Sequence, residues 1–508
     1  MDIDRVTMNK SASVLLGIVV VVGAISAGGA WYTGTKLEGV LQNAIVDSNK
    51  QMAIALTGTN SASSIELVSL ERGIFSSTAR YRLKGEGDMF GGEAVELQLV
   101  DNIEHGPLPF SRLMTLKWLP VMATSHTEIE RNPLTEKWFA AAKDKSPVKG
   151  VFNLGYDQSV NGTLELLPLD TKLDEQSQLV FSGLKIDLAA SAQAEKIKLD
   201  GYMDNLKLTT VAEDQSPVHV EFNGLTLASN LSKSSYGYYM GENALILSNT
   251  KASFGEQKSV VGLKNLEMKN SSTESGTSAS GRADYKIGEL SFNDKTIGSA
   301  QMALSVKNLD VPATMSLMQL YQAKLQPYEK AAAEAAEAGE PAPELNLTEA
   351  EEKQVKADLE KILAGSPQVA VEKLSFSTAN GESSASLIID LAKPQSMDLP
   401  PDELGRQLLA LLEFNVKVSK PMLADLATVQ AQMEGQTDAK LIADQATATS
   451  DMFSAMAVGT QLATLEGNDV VTKLRYANDQ VDFNGQKMTV DQFVTFVMNQ
   501  IGGGVAVQ

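Results

Sequence analysis

Phe181-Ser182-Gly183-Leu184-Lys185-Ile186-Asp187-Leu188 is the first of a series of similar strings. Asp204-Asn205-Leu206-Lys207-Leu208, Phe222-Asn223-Gly224-Leu225-Thr226-Leu227, Lys264-Asn265-Leu266-Glu267-Met268, Gly288-Glu289-Leu290-Ser291-Phe292 and Lys307-Asn308-Leu309-Asp310-Val311 follow it. Each places a Gly or Asn one or two residues before a Leu, then a polar residue, then an apolar one. A cousin is Glu372-Lys373-Leu374-Ser375-Phe376. The marker leucines 184, 206, 225, 266, 290 and 309 stand 22, 19, 41, 24 and 19 residues apart, so the gap of 41 reads as two units, one degenerate. About 20 residues make two short strands and two turns, so a hairpin-sized unit that extends one antiparallel sheet is expected. Chance alternation in a strand-rich chain is the competing reading.

Upstream, Glu66 to Leu70 and Ala79 to Leu83 alternate polar and apolar with period two, the sign of a half-buried strand. The strand-rich texture spans 63–312, interrupted by short helical pieces near 108–118 and 135–143. Before it, Leu37, Val40, Leu41, Ala44 and Ile45 recur at helical spacing within an expected helix over 36–62.

Residues 11–35 carry no charge, and Val14 to Ala30 is nearly all Val, Leu, Ile, Ala and Gly. A helix of about 20 such residues crosses a bilayer core. Arg5 and Lys10 precede the run and Trp31 and Tyr32 end it. A single-pass bacterial inner-membrane anchor is therefore expected, with residues 1–10 cytoplasmic and the bulk of the chain periplasmic. Gly28-Gly29-Ala30 resembles a signal-peptide cleavage site, but bulky aromatics and an amphipathic stretch follow it directly, which favours a retained anchor. Asp2 and Asp4 weaken the cationic flank, and Met8-Asn9-Lys10 offers a second start with a cleaner one.

Downstream, 313–365 reads as a helical hairpin. Its second helix starts near Leu347-Thr348-Glu349-Ala350-Glu351, a Thr followed by acids. Strands are expected around the turn pair Asn380-Gly381, helices at 401–412, 421–434 and 437–458, and a hairpin turning at Asn478-Asp479 before a last helix at 490–501. Residues 366–501 thus form a mixed region and 502–508 a tail. The fold class expected is α+β: an N-terminal transmembrane helix, then an elongated, mostly antiparallel β-rich periplasmic domain with an inserted helical hairpin and C-terminal helices.

The formal charge of −20 argues against nucleic acid, which needs a basic surface, and against broad adhesion to anionic lipid head groups. No cysteine is present, which excludes a lipoprotein anchor, thiol chemistry and cysteine metal sites. The three histidines, His105, His126 and His219, lack metal-ligand spacing, and no phosphate-binding or nucleophile-elbow motif occurs. No catalytic residue, metal site or cofactor is expected.

Two strings are more distinctive. In Arg72-Gly73-Ile74-Phe75-Ser76-Ser77, Gly73 suits a bulge or a positive φ, Phe75 a buried anchor, and Arg72 a carboxylate partner or sheet cap. In Glu104-His105-Gly106-Pro107-Leu108-Pro109-Phe110, Gly106-Pro107 is a turn and His105 suits a buried, hydrogen-bonded structural role. Together with Met8-Asn9-Lys10, the anchor end Gly28 to Gly34 and the run from Tyr476 to Val494, these strings resemble the YdgA family of γ-proteobacteria across essentially the whole chain. The resemblance implies an inner-membrane and periplasmic protein of unknown function that self-associates, as a homodimer, and is linked to swarming motility. It supplies no catalytic or ligand residue.

Three functional readings stand. A long sheet behind a membrane anchor resembles the AsmA-like group, in which a curled sheet offers lipid an apolar groove. Leu184, Ile186, Leu225, Leu227, Leu290 and Phe292 would then line it, or else form an ordinary closed core. A self-associating scaffold acting on envelope assembly is the second reading, an exported hydrolase the remote third.

Overall fold

In the computed structural model the described residues are 37–502, apart from 57–58, 91, 93, 213–215, 256–258, 340 and 342–343. The expected anchor, the alternative start and all but the first residue of the tail lie outside them. Among the described residues no helix is long and apolar enough to cross a membrane. The chain divides into two compact units, Met1–Gly262 and Leu263–Gln508.

The N-terminal unit opens with α1 (Leu37–Ala55), which buries Leu41, Ala44, Ile45, Ser48 and Met52 along one stripe. The strands are β1 (Ser61–Arg72), β2 (Ser76–Gly87), β3 (Val95–His105), β4 (Ala123–Ile129), β5 (Val148–Leu154), β6 (Val160–Leu166), β7 (Leu169–Lys172), β8 (Gln178–Phe181), β9 (Leu184–Ala190), β10 (Lys196–Val211), β11 (Pro217–Lys233) and β12 (Tyr239–Phe254). Short helices α2 (Phe110–Met114) and α3 (Glu136–Ala141) interrupt them. All pairings are antiparallel, in the order β1-β2-β3-β4-β5-β6-β9-β10-β11-β12, with β8 also on β10 and β7 on β8. One closed core forms, in which Ile65, Tyr81, Leu97, Leu99 and Val148 are all at most 2% exposed and the apolar stripe of α1 takes part. Asn49 donates to the Ile65 carbonyl and accepts from its amide, covering the edge backbone of β1 there.

The repeated strings have a common structural meaning. Gly183 lies between β8 and β9 at φ +96 and faces Asp204, which faces Gly224 at φ +66, which faces Ser248; ladder pairing skips all these positions. At this line the side-chain alternation changes parity. Ile186 and Leu188 lie on one side of it and Phe181 on the other, yet all three join one core, as do Leu225 with Phe222 and Met203 with Leu206. The first Gly/Asn–Leu unit bridges β8 and β9 and the later ones lie within one long strand, each marking where the pleat is interrupted so that apolar residues keep to one side.

The hairpin-sized repeat is thereby corrected: from β10 onward one unit corresponds to one strand of 15–17 residues plus its turn. The gap of 41 spans β12, whose break at Ser248-Asn249 lacks the following Leu.

The C-terminal unit takes over within β13 (Ser259–Ser275) and continues with β14 (Ser278–Phe292) and β15 (Lys295–Asp310). Helices α4 (Val311–Leu320) and α5 (Gln326–Ala338) are joined by a π-turn, and α6 (Glu349–Ala364) follows. Thr348 caps α6 in a reciprocal capping box with Glu351. Then come β16 (Gln368–Ser377), β17 (Glu382–Leu391), α7 (Pro401–Leu408), β18 (Leu409–Ser419), α8 (Lys420–Met433), α9 (Ala439–Gly459), β19 (Thr464–Glu466), β20 (Asp469–Ala477), β21 (Gln480–Phe483), β22 (Gln486–Thr489) and α10 (Val490–Gly502). The pairing order is β14-β15-β16-β17-β18-β20, with β19 and β21 also on β20 and β22 on β21.

Here too the repeat strings sit at breaks. Asn265 is at φ +52 and Asn308 at φ +59, and register shifts fall between Ile287 and Leu290 and between Val371 and Leu374. The helix expected over 401–412 stops at Leu408. Leu409 to Leu412 instead begins β18, because Leu412, Phe414, Val416 and Val418 alternate, the first three with partners on both β17 and β20 and Val418 with one on β20, which outweighs the helix preference of Leu and Ala.

Candidate apolar ligand face

Side chains at paired antiparallel positions share a face. In the C-terminal unit one face collects Tyr285 and Ile287 of β14, Met302 and Leu304 of β15, Val369, Val371 and Leu374 of β16, Leu387 and Ile389 of β17, and Leu412, Phe414 and Val416 of β18. None of these side chains is fully buried; Val369 is 45% exposed, Leu374 49% and Phe414 36%.

The opposite face is polar and charged over much of its area. Arg282 pairs with Asp284 at 2.7 Å and with Glu372, and Ser305 donates to Glu372 at 2.7 Å. The Ser305 hydroxyl, then Arg282, hold the Glu372 carboxyl below the usual carboxylate range. Arg475 pairs with Glu413 at 2.9 Å and Lys373 with Glu382 at 3.1 Å. The sheet is thus amphipathic, its wet side fixed by charge pairs and its apolar side half open.

The helices of this unit meet the sheet mainly at strand ends. Asp425 of α8 accepts from Asn380 Nδ2 at 2.8 Å and from the hydroxyl of Thr378, at the turn between β16 and β17. Gln432 accepts from Lys295 at 2.8 Å, at the turn between β14 and β15. Towards β20 a lid forms among the described residues: Tyr476, Val481 and Phe483 are buried with Leu412, Leu474 and the α10 rings Phe493 and Phe496, whose centroids lie 5.4 and 5.7 Å from that of Phe483.

The six positions singled out from sequence divide between the units. Ile186 is 3% exposed in the closed core, and the half-buried Leu184 and Leu225 pack against it. Leu227 and Ile186 flank Gly201 from either side. Leu290, opposite Gly298, and Phe292 lie half-buried on the open apolar side of β14. The larger part of the open face, on β16–β18, was missed; the apolar run Leu387-Ile388-Ile389 and the alternation from Leu412 to Val418 were the signals that could have found it.

The two distinctive strings come together at one end of the N-terminal unit. The His105 amide donates to the Phe75 carbonyl at 2.8 Å, and its ring lies 3.1 Å from the Ser77 hydroxyl and 3.4 Å from the Ile74 carbonyl. His105 is half-buried and hydrogen-bonded. Gly106 donates to the Met122 carbonyl at 2.6 Å and precedes a cis peptide to Pro107. Arg72 pairs with Ser77 in the β1–β2 ladder. Two expectations are corrected here. Gly73 is needed for close approach, not for a positive φ: a Cβ there would lie 2.7 Å from the Ser76 carbonyl oxygen. Phe75 is 82% exposed, because the tight turn at Gly73 throws it outward.

The nearest approach to a catalytic arrangement is Ser111, 3.1 Å from His126 Nε2. Its hydroxyl donates to Glu104 at 2.6 Å, so its one proton is committed to the carboxylate and the histidine is left to donate. That order positions a loop; it does not activate a nucleophile. His219 sits apart on Thr209. Among the described residues no group of three or more His, Asp or Glu is placed to hold a metal ion. Burial pushes the Asp101 carboxyl up, against hydrogen bonds from Ser125 and Thr127.

Comparison with known proteins finds matches over nearly the whole chain. The family described as bacterial protein of unknown function (DUF945) matches residues 8–491. Protein YdgA of Escherichia coli (strain K12) is 28% identical over 497 residues, 96% of each chain. The uncharacterized protein YihF of the same organism is 23% identical over 96% of this chain and 98% of its own. An uncharacterized protein of Haemophilus influenzae is 23% identical over 61% of this chain and 86% of its own. No solved structure matches.

Proposed function

We propose, on the premise that this chain belongs to the DUF945 family of bacterial proteins, that it is a non-enzymatic envelope protein. In this reading residues 11–35 hold it in the inner membrane, its bulk lies in the periplasm, and the open face of β15–β18 binds an apolar ligand of the lipid acyl class. The observation that carries the reading is that face itself: apolar side chains in register across adjacent strands, left half exposed. Each square ångström of apolar surface left wet costs about 25 cal/mol, so an extended open face favours an occupant. A flexible acyl chain suits it, since the lining is aliphatic and aromatic with no converging polar groups.

The test uses the full chain in its native envelope, with acyl chains radiolabelled from acetate. A photo-crosslinking amino acid replaces Leu387 on the open face or, as control, its neighbour Ser386 on the polar face. Labelled lipid attached at position 387 and not at 386 supports the reading. Equal labelling at both, or none at either, rejects it.

Self-association is a second reading, favoured by α9, where Met452, Phe453 and Met456 are 62%, 42% and 67% exposed on neighbouring positions of the helix. Phe453→Asp with Met456→Asp should then lower the mass measured by light scattering to that of one chain. An unchanged mass removes α9 as the contact. Any influence on swarming would follow indirectly from a changed envelope.

A further inference from the structure

The N-terminal unit carries a second apolar surface that its core does not use. Ile74 and Phe75 at the β1–β2 turn, and Phe110, Leu116, Trp118 and Leu119 in the loop before β4, are all 65–87% exposed. The loop that presents them is rigidly framed. Arg112, 9% exposed, donates to Asn153 Oδ1 at 2.8 Å and to the Leu119 carbonyl at 3.0 Å, and Ser111 is fixed to Glu104 by its amide and its hydroxyl. Leu116 adopts φ +58, a costly backbone for a leucine, and its side chain is 72% exposed. A built loop with outward apolar side chains marks a docking surface.

Three observations identify the occupant. First, α1 runs back along β1: a short link joins its C-terminal end to Ser61, and Asn49 brackets Ile65. Its first residue, Leu37, is then about 18 Å beyond Asn49, on the side where Arg72 lies about 23 Å beyond Ile65. The described chain thus enters the unit, at Leu37, at the end bearing the patch. Second, the uncharged run that ends at Thr35 immediately precedes that entry. Third, no acidic residue occurs from His105 to Thr127 in a chain with 63 of them, and Lys117 in the loop is exposed, which suits an anionic lipid surface. We infer that this end of the N-terminal unit rests in the bilayer interface, with Trp118, Leu119, Phe110 and Phe75 inserted at head-group depth as a second membrane contact beside the anchor. The inference rests on the anchor reading and is independent of ligand binding on the other unit.

The chain has no cysteine, so single labels can be placed in the full-length protein. Leu119→Cys and Phe75→Cys report on the tip, and Glu86→Cys, at the other end of β2, is the control. Each carries a bimane label in vesicles of phosphatidylethanolamine and phosphatidylglycerol. The tip labels should be quenched several-fold more by doxyl-labelled lipid than the control, and several-fold less by aqueous iodide. Iodide quenching equal to the control would show a wet tip and overturn the inference. Protection from both quenchers would mean that protein, such as a second copy, covers the tip, and would overturn it equally. Alkaline extraction of the same vesicles tests the anchor separately; release of the chain would remove the geometric ground for the inference while leaving the ligand-face reading to its own experiment.

Discussion

The N-terminal and C-terminal units handle the same kind of strand differently. Both contain long antiparallel strands with one apolar side, and both interrupt the pleat at a Gly or Asn so that this side stays continuous. In the N-terminal unit the apolar side closes into a core that includes α1. In the C-terminal unit the helices sit mainly at strand ends, and the corresponding side of β15–β18 remains half open. An apolar sheet face is therefore no guide to a core; what decides is whether the chain also supplies something to cover it.

Core truncation should separate the units most sharply. Leu99→Ala removes a side chain that is 0% exposed, and should cost about 3–5 kcal/mol of unfolding free energy in urea titrations. Leu374→Ala, at 49% exposure, should cost less than about 1 kcal/mol. Equal costs would mean that the C-terminal face is as closed as the N-terminal core.

The interruption of the pleat should matter in both units. A Cβ at Gly224 would meet Ser248 at 2.6–2.9 Å and strain a φ of +66, so Gly224→Ala should cost about 1–3 kcal/mol. Asn265→Gly, at φ +52, should stay within about 0.5 kcal/mol of the parent, since glycine accepts that backbone. A neutral Gly224→Ala in thermal unfolding would leave the repeat without the structural role assigned to it.

Local capping holds the C-terminal helices where core contact is sparse. Thr348→Ala breaks the capping box of α6 and should cost about 1 kcal/mol, read from helix content against urea concentration.

The smallest effects, in pH dependence, should have opposite signs. Burial raises the Asp101 carboxyl, so the folded N-terminal unit binds its proton more tightly than the unfolded chain does. Stability is then lost as pH rises from the ordinary carboxylate range through the raised folded value, and Asp101→Asn should flatten that fall. Glu372 is lowered by Ser305 and Arg282. Its contribution is present above the ordinary glutamate range and is lost as pH falls through the lowered value, and Glu372→Gln should flatten that loss. Unfolding midpoints between pH 3 and 8 would show both slopes, and slopes of one sign would break the contrast.

Local signals were legible in the chain. The stripe Leu41, Ala44 and Ile45 lies on a helix, Thr348 starts one, and Asn478-Asp479 turns a hairpin with both residues at positive φ. Each depends on residues within a few positions of one another. The meaning of the Gly/Asn–Leu units was not legible, because a break in mid-strand and a turn between strands use the same residues. For the same reason Phe75 looked like a core anchor: an aromatic beside Gly can point either way until the turn is built.

The candidate site was half legible. Leu290 and Phe292 could be picked out, but Leu184 and Ile186 have the same local pattern and ended in the other unit.

By itself, the sequence determined an α+β chain of antiparallel strands with helices near 311–364 and 420–459, because alternation, caps and turn residues act over a few positions. Tertiary structure alone decided that the repeat marks parity switches, that Leu409 begins a strand, and that the apolar face is closed in one unit and open in the other. Those outcomes depend on which distant strands pair and on whether a helix such as α1 lands on the sheet, and no local pattern encodes that.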